Sequence, residues 1–93
     1  MLLENIKVIT VSEVRSGKSK TTGRPYALRS VLLGFEDETG DSYMYAEVSD
    51  ELWQSLGHHE GDIASLNIRF RTKKFVNGFI SNDIRIVSPE NLQ

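Results

Sequence analysis

The chain contains no cysteine, so disulfide bonds, thiolate nucleophiles and zinc or iron–sulfur sites with cysteine ligands are all excluded. Only two prolines and seven glycines are present, which excludes collagen-like and low-complexity sequence. No apolar run approaches the roughly 20 residues that a membrane-spanning helix needs. The first five residues show no basic segment followed by an apolar one, so we expect no secretory signal and a cytoplasmic protein.

What is present is the composition of an ordinary globular domain, with 39% hydrophobic and 26% charged residues in a chain of 93. This length suffices for one domain and one compact core. We therefore expect a single domain over residues 1–93, with its ordered part at about 5–88 and a short frayed tail after it.

Positive and negative charges are separated along the chain, although the net charge is only −2. Residues 1–29 hold six basic and two acidic side chains, and residues 69–93 hold five basic and two acidic ones. Residues 30–68 between them hold nine acidic side chains and no lysine or arginine. Taken alone, each basic run is typical of a solvated loop or face. The two runs can form a binding site only if the fold brings them together.

In the first half of the chain, the pattern of apolar and polar residues is that of strands. Residues 6–14 are rich in β-branched side chains and predict a strand, whereas 15–25 contain two glycines and a proline and predict a long mobile loop. Further strands are predicted over 26–36 and 42–48, joined by an acidic turn.

At the start of the second half, the spacing of apolar residues changes from that of a strand to that of a helix. Ser49 is expected to cap a short helix that carries Trp53 toward the core and ends at Gly57. Residues 63–76 and 79–87 then predict two strands joined at Asn77-Gly78 by a type I′ turn. On the first of them Ala64, Leu66, Ile68 and Phe70 alternate with polar side chains, and on the second Ile80, Ile84 and Ile86 are the expected core residues.

Three strands, a short helix and two strands joined by a hairpin form the element order of an OB-fold. The chain resembles the small stand-alone OB domains related to bacterial and phage single-stranded DNA-binding and primosomal proteins. The resemblance rests on the run at 17–26, on Glu51-Leu52-Trp53 and on the Gly61-Asp62 turn. It implies an all-β fold, a five-stranded Greek-key barrel with the helix between strands three and four, and a place in DNA replication or recombination.

In such a barrel, the loops between strands one and two and between strands four and five flank one binding face. The two basic runs fall on these loops. Cations there would neutralise phosphates, and aromatic rings would stack on bases. The cations expected to bind nucleic acid are Arg15, Lys18, Lys20, Arg24, Arg29, Arg69, Arg71, Lys73 and Lys74. Of these, Lys18, Lys20, Arg24, Arg71, Lys73 and Lys74 are expected to contact phosphates. The expected stacking residues are Tyr26, Tyr43, Tyr45, Phe75 and Phe79.

The sequence thus predicts a binder of single-stranded nucleic acid, DNA rather than RNA, with little sequence preference. A homodimer or higher oligomer is expected, because one OB domain covers only about 4–16 nucleotides. Lys7 lies on the first strand, outside both loops, and its replacement is expected to leave nucleic-acid binding almost unchanged. The alternative is an OB module that binds protein and assembles a larger complex.

Other motifs do not point to catalysis or to a cofactor. Gly17-Lys18-Ser19 lacks the earlier glycine and the following helix of a phosphate-binding loop. His58 and His59 are adjacent and have no third, distant group of ligands, so we expect no metal site. With no cysteine and no histidine in the groove loops, we expect no nucleophile–base pair and no enzyme.

Overall fold

A computed structural model describes residues 1–89, with Lys73 described by its backbone alone. It contains six strands and one helix, and the tail expected after residue 88 lies outside the described part from residue 90 onward. The elements in chain order are β1 (Leu2–Val11), β2 (Arg15–Lys18), β3 (Pro25–Asp37), β4 (Gly40–Ser49), α1 (Asp50–Leu56), β5 (Ile63–Lys74) and β6 (Ile80–Val87).

All six strands belong to one sheet that closes on itself. The strand order is β1-β5-β6-β4-β3-β2, and an additional pairing of β1 with β3 completes the closure. Every pairing is antiparallel except that of β4 with β6, which run parallel and meet at Glu47 and Arg85. The chain is therefore mostly β-structure with one short helix, as the sequence predicts.

Strands β1 and β2 lie end to end along one edge of β3. β1 pairs with residues 31–34 of β3, and β2 pairs with residues 25–28. Between them the chain is held by Ser12, whose N–H donates to the Ser30 carbonyl oxygen at 2.9 Å and whose hydroxyl accepts from the Ser30 N–H at 2.8 Å. The predicted loop at 15–25 was thus too long, because residues 15–18 pair with residues 25–28 and leave only residues 19–24 as a turn.

The core fills the inside of this closed sheet. Alternate residues point inward, and the buried ones come from β1, β3, β4, β5 and β6, with Trp53 of the helix at 6% exposure joining them as expected. The largest completely enclosed side chains are Leu33, Leu66, Ile68, Val8, Val31 and Val48. The exposed ends of the strands project beyond this core.

Helix α1 begins and ends where the sequence indicates. The Ser49 hydroxyl accepts a hydrogen bond from the Leu52 N–H at 3.2 Å, and Asp50 and Glu51 occupy the first turn, where negative charge is favourable. Gly57 ends the helix in the left-handed region at a φ of 71° and donates its N–H to the Trp53 carbonyl oxygen.

The β5–β6 hairpin extends past the core as an arm. We expected Ile80 to be buried, but it is 58% exposed, and Phe70 at the base of the arm is exposed as well. The alternation of side chains correctly places Ile80 and Phe70 on the face of the hairpin that is continuous with the core. The arm extends past the core, however, so this face is exposed there. The predicted hairpin is present, although its turn type was wrong.

The turn is a three-residue loop rather than a two-residue type I′ turn. The Phe75 N–H donates to the Phe79 carbonyl oxygen at 2.8 Å, and the Gly78 N–H donates to the Phe75 carbonyl oxygen at 2.9 Å. Gly78 has a φ of 86°, but Asn77 does not adopt the positive φ that a type I′ turn requires at its first position. A single left-handed glycine closing the turn is typical of three-residue hairpins.

No helix within residues 1–89 combines the length and the apolar character that crossing a membrane requires.

Candidate functional site

Most of the aromatic side chains lie on the surface. The chain has eight of them, and six are exposed, although a domain this small needs apolar side chains for its core. Exposed apolar groups that cluster mark interaction surfaces. The exposed aromatic residues are Tyr26, Tyr43, Tyr45, Phe70, Phe75 and Phe79.

Tyr43 and Tyr45 lie on the outer face of β4, with 64% and 63% of their surface exposed. Their outward direction follows from alternation, because Ala46 and Val48 on the same strand are fully buried. Neither ring makes a ring–ring contact or a side-chain hydrogen bond within residues 1–89. Both rings therefore present exposed surface that a ligand can contact.

Beside Tyr43 the outer face forms an open groove of about 590 Å³. Gly34 of β3 pairs directly with Tyr43, and the Ile9 side chain lies so close over Gly34 that a Cβ there would come within 2.6 Å of Ile9 Cδ1. Glycine at this position lets the isoleucine cover the backbone, which gives the groove an apolar floor next to the tyrosine ring. Glu36 and Asp41 contribute an acidic rim on one side.

Lys7 also lines this groove, on the side where β1 pairs with β3. It is opposite Gly34, which is in turn opposite Tyr43, so the three residues form one row across three strands. Lys7 is outside both loops, as its place in the sequence indicates, yet it lies beside an expected stacking residue. The position of Lys7 beside Tyr43 therefore gives a reason for Lys7 to affect nucleic-acid binding, contrary to the expectation that its replacement leaves binding almost unchanged.

The first basic run forms the β2–β3 arm. Lys18, Lys20 and Arg24 are exposed, and their side chains make no hydrogen bond or ion pair within the described part of the chain. Tyr26, at 45% exposure, places its ring over Gly17 on the paired strand, where a Cβ would approach the Tyr26 hydroxyl to 2.8 Å. Gly17 thus makes room for the ring at the root of a cationic arm.

Arg15 and Arg29 have intramolecular acidic partners instead. The Arg15 guanidinium donates to the Ser30 hydroxyl at 2.9 Å and lies 3.7 Å from the Glu47 carboxylate. Arg29 is half-buried, with its Nε 2.6 Å from Oδ1 of Asp50. Of the two, Arg15 remains on the surface, whereas Arg29 has a structural role and is left out of the site.

The Arg29–Asp50 contact also changes the protonation of the acid. The hydrogen bond from Arg29 is the main cause that lowers the pKa of Asp50 below the usual aspartate range, and a hydrogen bond from the Gln54 side-chain amide assists. Arg29 Nη1 further donates to the Ser12 carbonyl oxygen at 3.1 Å. The pair therefore ties the start of helix α1 to β3 and to the segment after β1.

The second basic run lies on the β5–β6 arm. Arg71 and Lys74 are exposed and their side chains are unpaired within residues 1–89, and the Lys73 backbone lies between them. At the tip the Phe75 and Phe79 rings lie 5.8 Å apart at an angle of 40° and form one exposed aromatic pair. The arm thus presents cations and aromatic faces together.

Arg69, at the base of this arm, is paired across the strands with Arg85 of β6, which sequence reasoning did not select. A signal was available, because Arg85 stands between Ile84 and Ile86, and alternation places it on the outer face. Arg85 lines one cleft with Arg69 and Arg71 and another with Tyr26. It therefore connects residues from the two basic runs.

The histidine-rich turn forms no metal site in the described chain. The His59 N–H donates to the Asp62 carboxylate at 2.8 Å, and His59 Nδ1 is 3.8 Å from the same group. Among residues 1–89 no group of three histidine, cysteine or acidic side chains has the geometry to hold a metal ion.

Comparison of the chain with protein-family models, with curated proteins and with solved structures found no match in any of the three.

Proposed function

We propose that this chain is an OB-fold domain that binds single-stranded nucleic acid, DNA in preference to RNA, and has no catalytic role. The closed sheet supports the fold assignment when β1 and β2, which share one edge of β3, are counted as a single first strand. The sheet then has five strands, with a helix between the third and the fourth and a parallel contact between the third and the fifth.

The observation that carries the binding function is the pair of exposed rings on β4. Tyr43 and Tyr45 alternate with core residues, so the fold holds them rigidly outward, next to an open groove. Bases stack on such rings with little regard to sequence, because every base has a π-face. Burying two tyrosines against bases also removes apolar surface from water.

Cations on the two arms supply the electrostatic part of binding. Each phosphate that a lysine or arginine neutralises releases counterions, and binding weakens as salt is added. Lys18, Lys20 and Arg24 on one arm and Arg71 and Lys74 on the other are exposed and unpaired within the described chain, which leaves them available for phosphates. The two arms are basic although the overall charge is −2, because most acidic residues belong to the middle of the chain. Two of those acids, Glu36 and Asp41, form the rim beside Tyr43, so we expect phosphates at the arms and a base at this ring.

The direct test is fluorescence anisotropy with labelled oligo-dT at 50 mM and 200 mM salt. We expect binding that weakens at the higher salt and competition by oligo-dC, with weaker competition by oligo-rU and by duplex DNA. Absence of binding at low salt would refute the proposal. Stronger binding to oligo-rU than to oligo-dT would keep the single-strand function but reverse the preference for DNA.

A homodimer or higher oligomer is part of this proposal, because one domain contacts few nucleotides. Light scattering at tens of micromolar should give a mass of at least twice 10.5 kDa. A mass of one chain at that concentration would refute the oligomer but not the binding of nucleic acid.

A second candidate function is a protein-binding module, and the hairpin tip favours it. Val76 is fully exposed, next to the exposed Phe79 and Ile80, which gives the tip an apolar surface that residues 1–89 leave uncovered. Val76→Ser together with Ile80→Ser should leave oligo-dT binding within about twofold if the tip binds protein. A loss of oligonucleotide affinity in this variant would assign the tip to nucleic acid.

A further inference from the structure

Two arginines are opposite each other on the outer face of the β5–β6 pair. Arg69 is paired across the strands with Arg85, and Arg71 lies two residues further along β5 on the same face. Like charges that are directly opposite in a sheet destabilise it. An anion bound by Arg85 would offset this repulsion.

These arginines line a cleft rather than a flat surface. It has a volume of about 330 Å³, and Ser49 and Leu52, at the junction of β4 and helix α1, also line it. A neighbouring cleft of about 610 Å³ shares Ser49 and Arg85 with the first and extends to Tyr26. Arg85 thus lies at the junction of a path from Tyr26 to the base of the β5–β6 arm.

The acidic residues around this path have other partners or lie at its edges. Glu47 is in register with Arg85 on the neighbouring strand, but its carboxylate makes an ion pair with Arg15. Asp50 is bound by Arg29, as described above. Glu51 lines only the end near Tyr26, and Asp83 is opposite Arg71.

Arg85 itself makes no ion pair and no side-chain hydrogen bond within residues 1–89. Its side chain is only partly exposed, so the guanidinium is held near the protein surface instead of extending freely into solvent. A planar guanidinium in this position can donate two parallel hydrogen bonds to the oxygens of one phosphate.

We propose that this cleft binds a phosphodiester of the single strand, with Arg85 as its central contact. The sugar–phosphate backbone then passes from Tyr26, between helix α1 and β6, to the cations of the β5–β6 arm. This inference rests on the proposed function and assigns to it a phosphate site that lies outside both loops.

The test compares Arg85→Ala and the charge-conserving Arg85→Lys with a control, Ser65→Glu, that changes the net charge by the same amount as Arg85→Ala. Ser65 is exposed on β5, four residues or about 13 Å from Arg69, which exceeds the Debye length of about 10 Å at 0.1 M salt. We expect Arg85→Ala to weaken oligo-dT binding about tenfold, near the lower end for a hydrogen bond to a charged group. Its salt slope should fall by about 0.7, which is one phosphate on a single strand.

Arg85→Lys should keep the salt slope but recover only part of the affinity, because lysine lacks the planar fork. Ser65→Glu should change affinity by less than about twofold. If Arg85→Ala binds like the unmodified protein in both affinity and slope, the cleft is not a phosphate site, although binding by the unmodified protein still supports the function. If the unmodified protein itself does not bind, the proposed function fails independently of the cleft.

The side-chain Nε–H resonance of Arg85, identified by its loss in Arg85→Ala, provides a second measurement. It should shift when oligo-dT is added and remain in place with sodium chloride of equal ionic strength. Inorganic phosphate can be titrated in the same way. If it saturates the shift of this resonance at a lower concentration of phosphate groups than oligo-dT requires, the proposal is overturned and the cleft is assigned to a free phosphate. Urea unfolding of each variant checks that the fold is intact.

Discussion

The two tyrosines of β4 allow the base-stacking hypothesis to be separated from simple attraction to phosphates. Replacing Tyr43 and Tyr45 with alanine removes two ring faces and no charge. Base stacking on an aromatic side chain contributes about 1–3 kcal/mol per base, so each single change should weaken binding about 5- to 150-fold. The salt slope should not change, because stacking releases no counterions.

The structure also limits what these changes can do to stability. More than 60% of the surface of each tyrosine is exposed, so truncation leaves no cavity, and we expect a loss of about 1 kcal/mol or less per site. The two residues are about 6.8 Å apart along the strand, too far for one base to cover both rings. Each ring then takes its own base, and the double variant should lose about 2–6 kcal/mol of binding free energy.

The assay is anisotropy with labelled oligo-dT at four salt concentrations, with urea unfolding run on each variant. Tyr43→Phe and Tyr45→Phe keep the ring face and should bind within about twofold of the unmodified protein. Leu2→Ala, which truncates an apolar side chain of similar exposure at the start of β1, serves as the matched control. A double alanine variant that binds as tightly as this control would refute stacking on β4, whatever the cations do.

Three further predictions follow from the same surface. Lys18→Ala, Lys20→Ala and Arg24→Ala should each lower the salt slope by about 0.7 and weaken binding to all sequences alike, which anisotropy with oligo-dT and oligo-dC measures. Phe75→Ala should weaken binding by a stacking increment of about 1–3 kcal/mol and leave the salt slope unchanged; a changed slope would show that the arm had been disturbed. Asp50→Asn should reduce the free energy of unfolding at pH 7, where the carboxylate is bound by Arg29. Because the pKa of Asp50 is lowered in the folded state, its contribution is complete above the ordinary aspartate pKa of about 3.9 and is lost as the pH falls through the lower folded value. Urea unfolding should therefore show the variant and the unmodified protein converging in strongly acidic solution, and a gap that widens there would contradict this reasoning.

Much of the fold follows from local patterns in the sequence. The alternation of Ala64, Leu66 and Ile68 with polar residues predicts a strand with one buried face, and the structure buries all three. Ser49 and Gly57 define the helix because capping depends on residues only a few positions apart. Local patterns were less reliable at Asn77-Gly78. This pair of residues is compatible with both a two-residue and a three-residue hairpin turn, so it does not distinguish the two.

The candidate site was predictable only in part. Alternation alone assigns Tyr43 and Tyr45 to one face of their strand, but whether that face is the core or the surface depends on the neighbouring strands. Arg29 belongs to a basic run in the sequence, yet the fold places it next to Asp50, which is 21 residues away. Composition could not reveal that this cation is already paired.

The sequence by itself determined that the chain is mostly β with one short helix, where the β5–β6 hairpin turns, and that its positive charges flank an acidic middle. These properties depend on residue type and short-range spacing. Only the tertiary structure decided that Lys7 lies in a row with Tyr43 and that Arg85 lies opposite Arg69. The first depends on the pairing of β1 with β3, which are not consecutive and meet only when the sheet closes around its core. The second depends on the three-residue turn, because a two-residue turn at Asn77-Gly78 would shift the β5–β6 register by one residue.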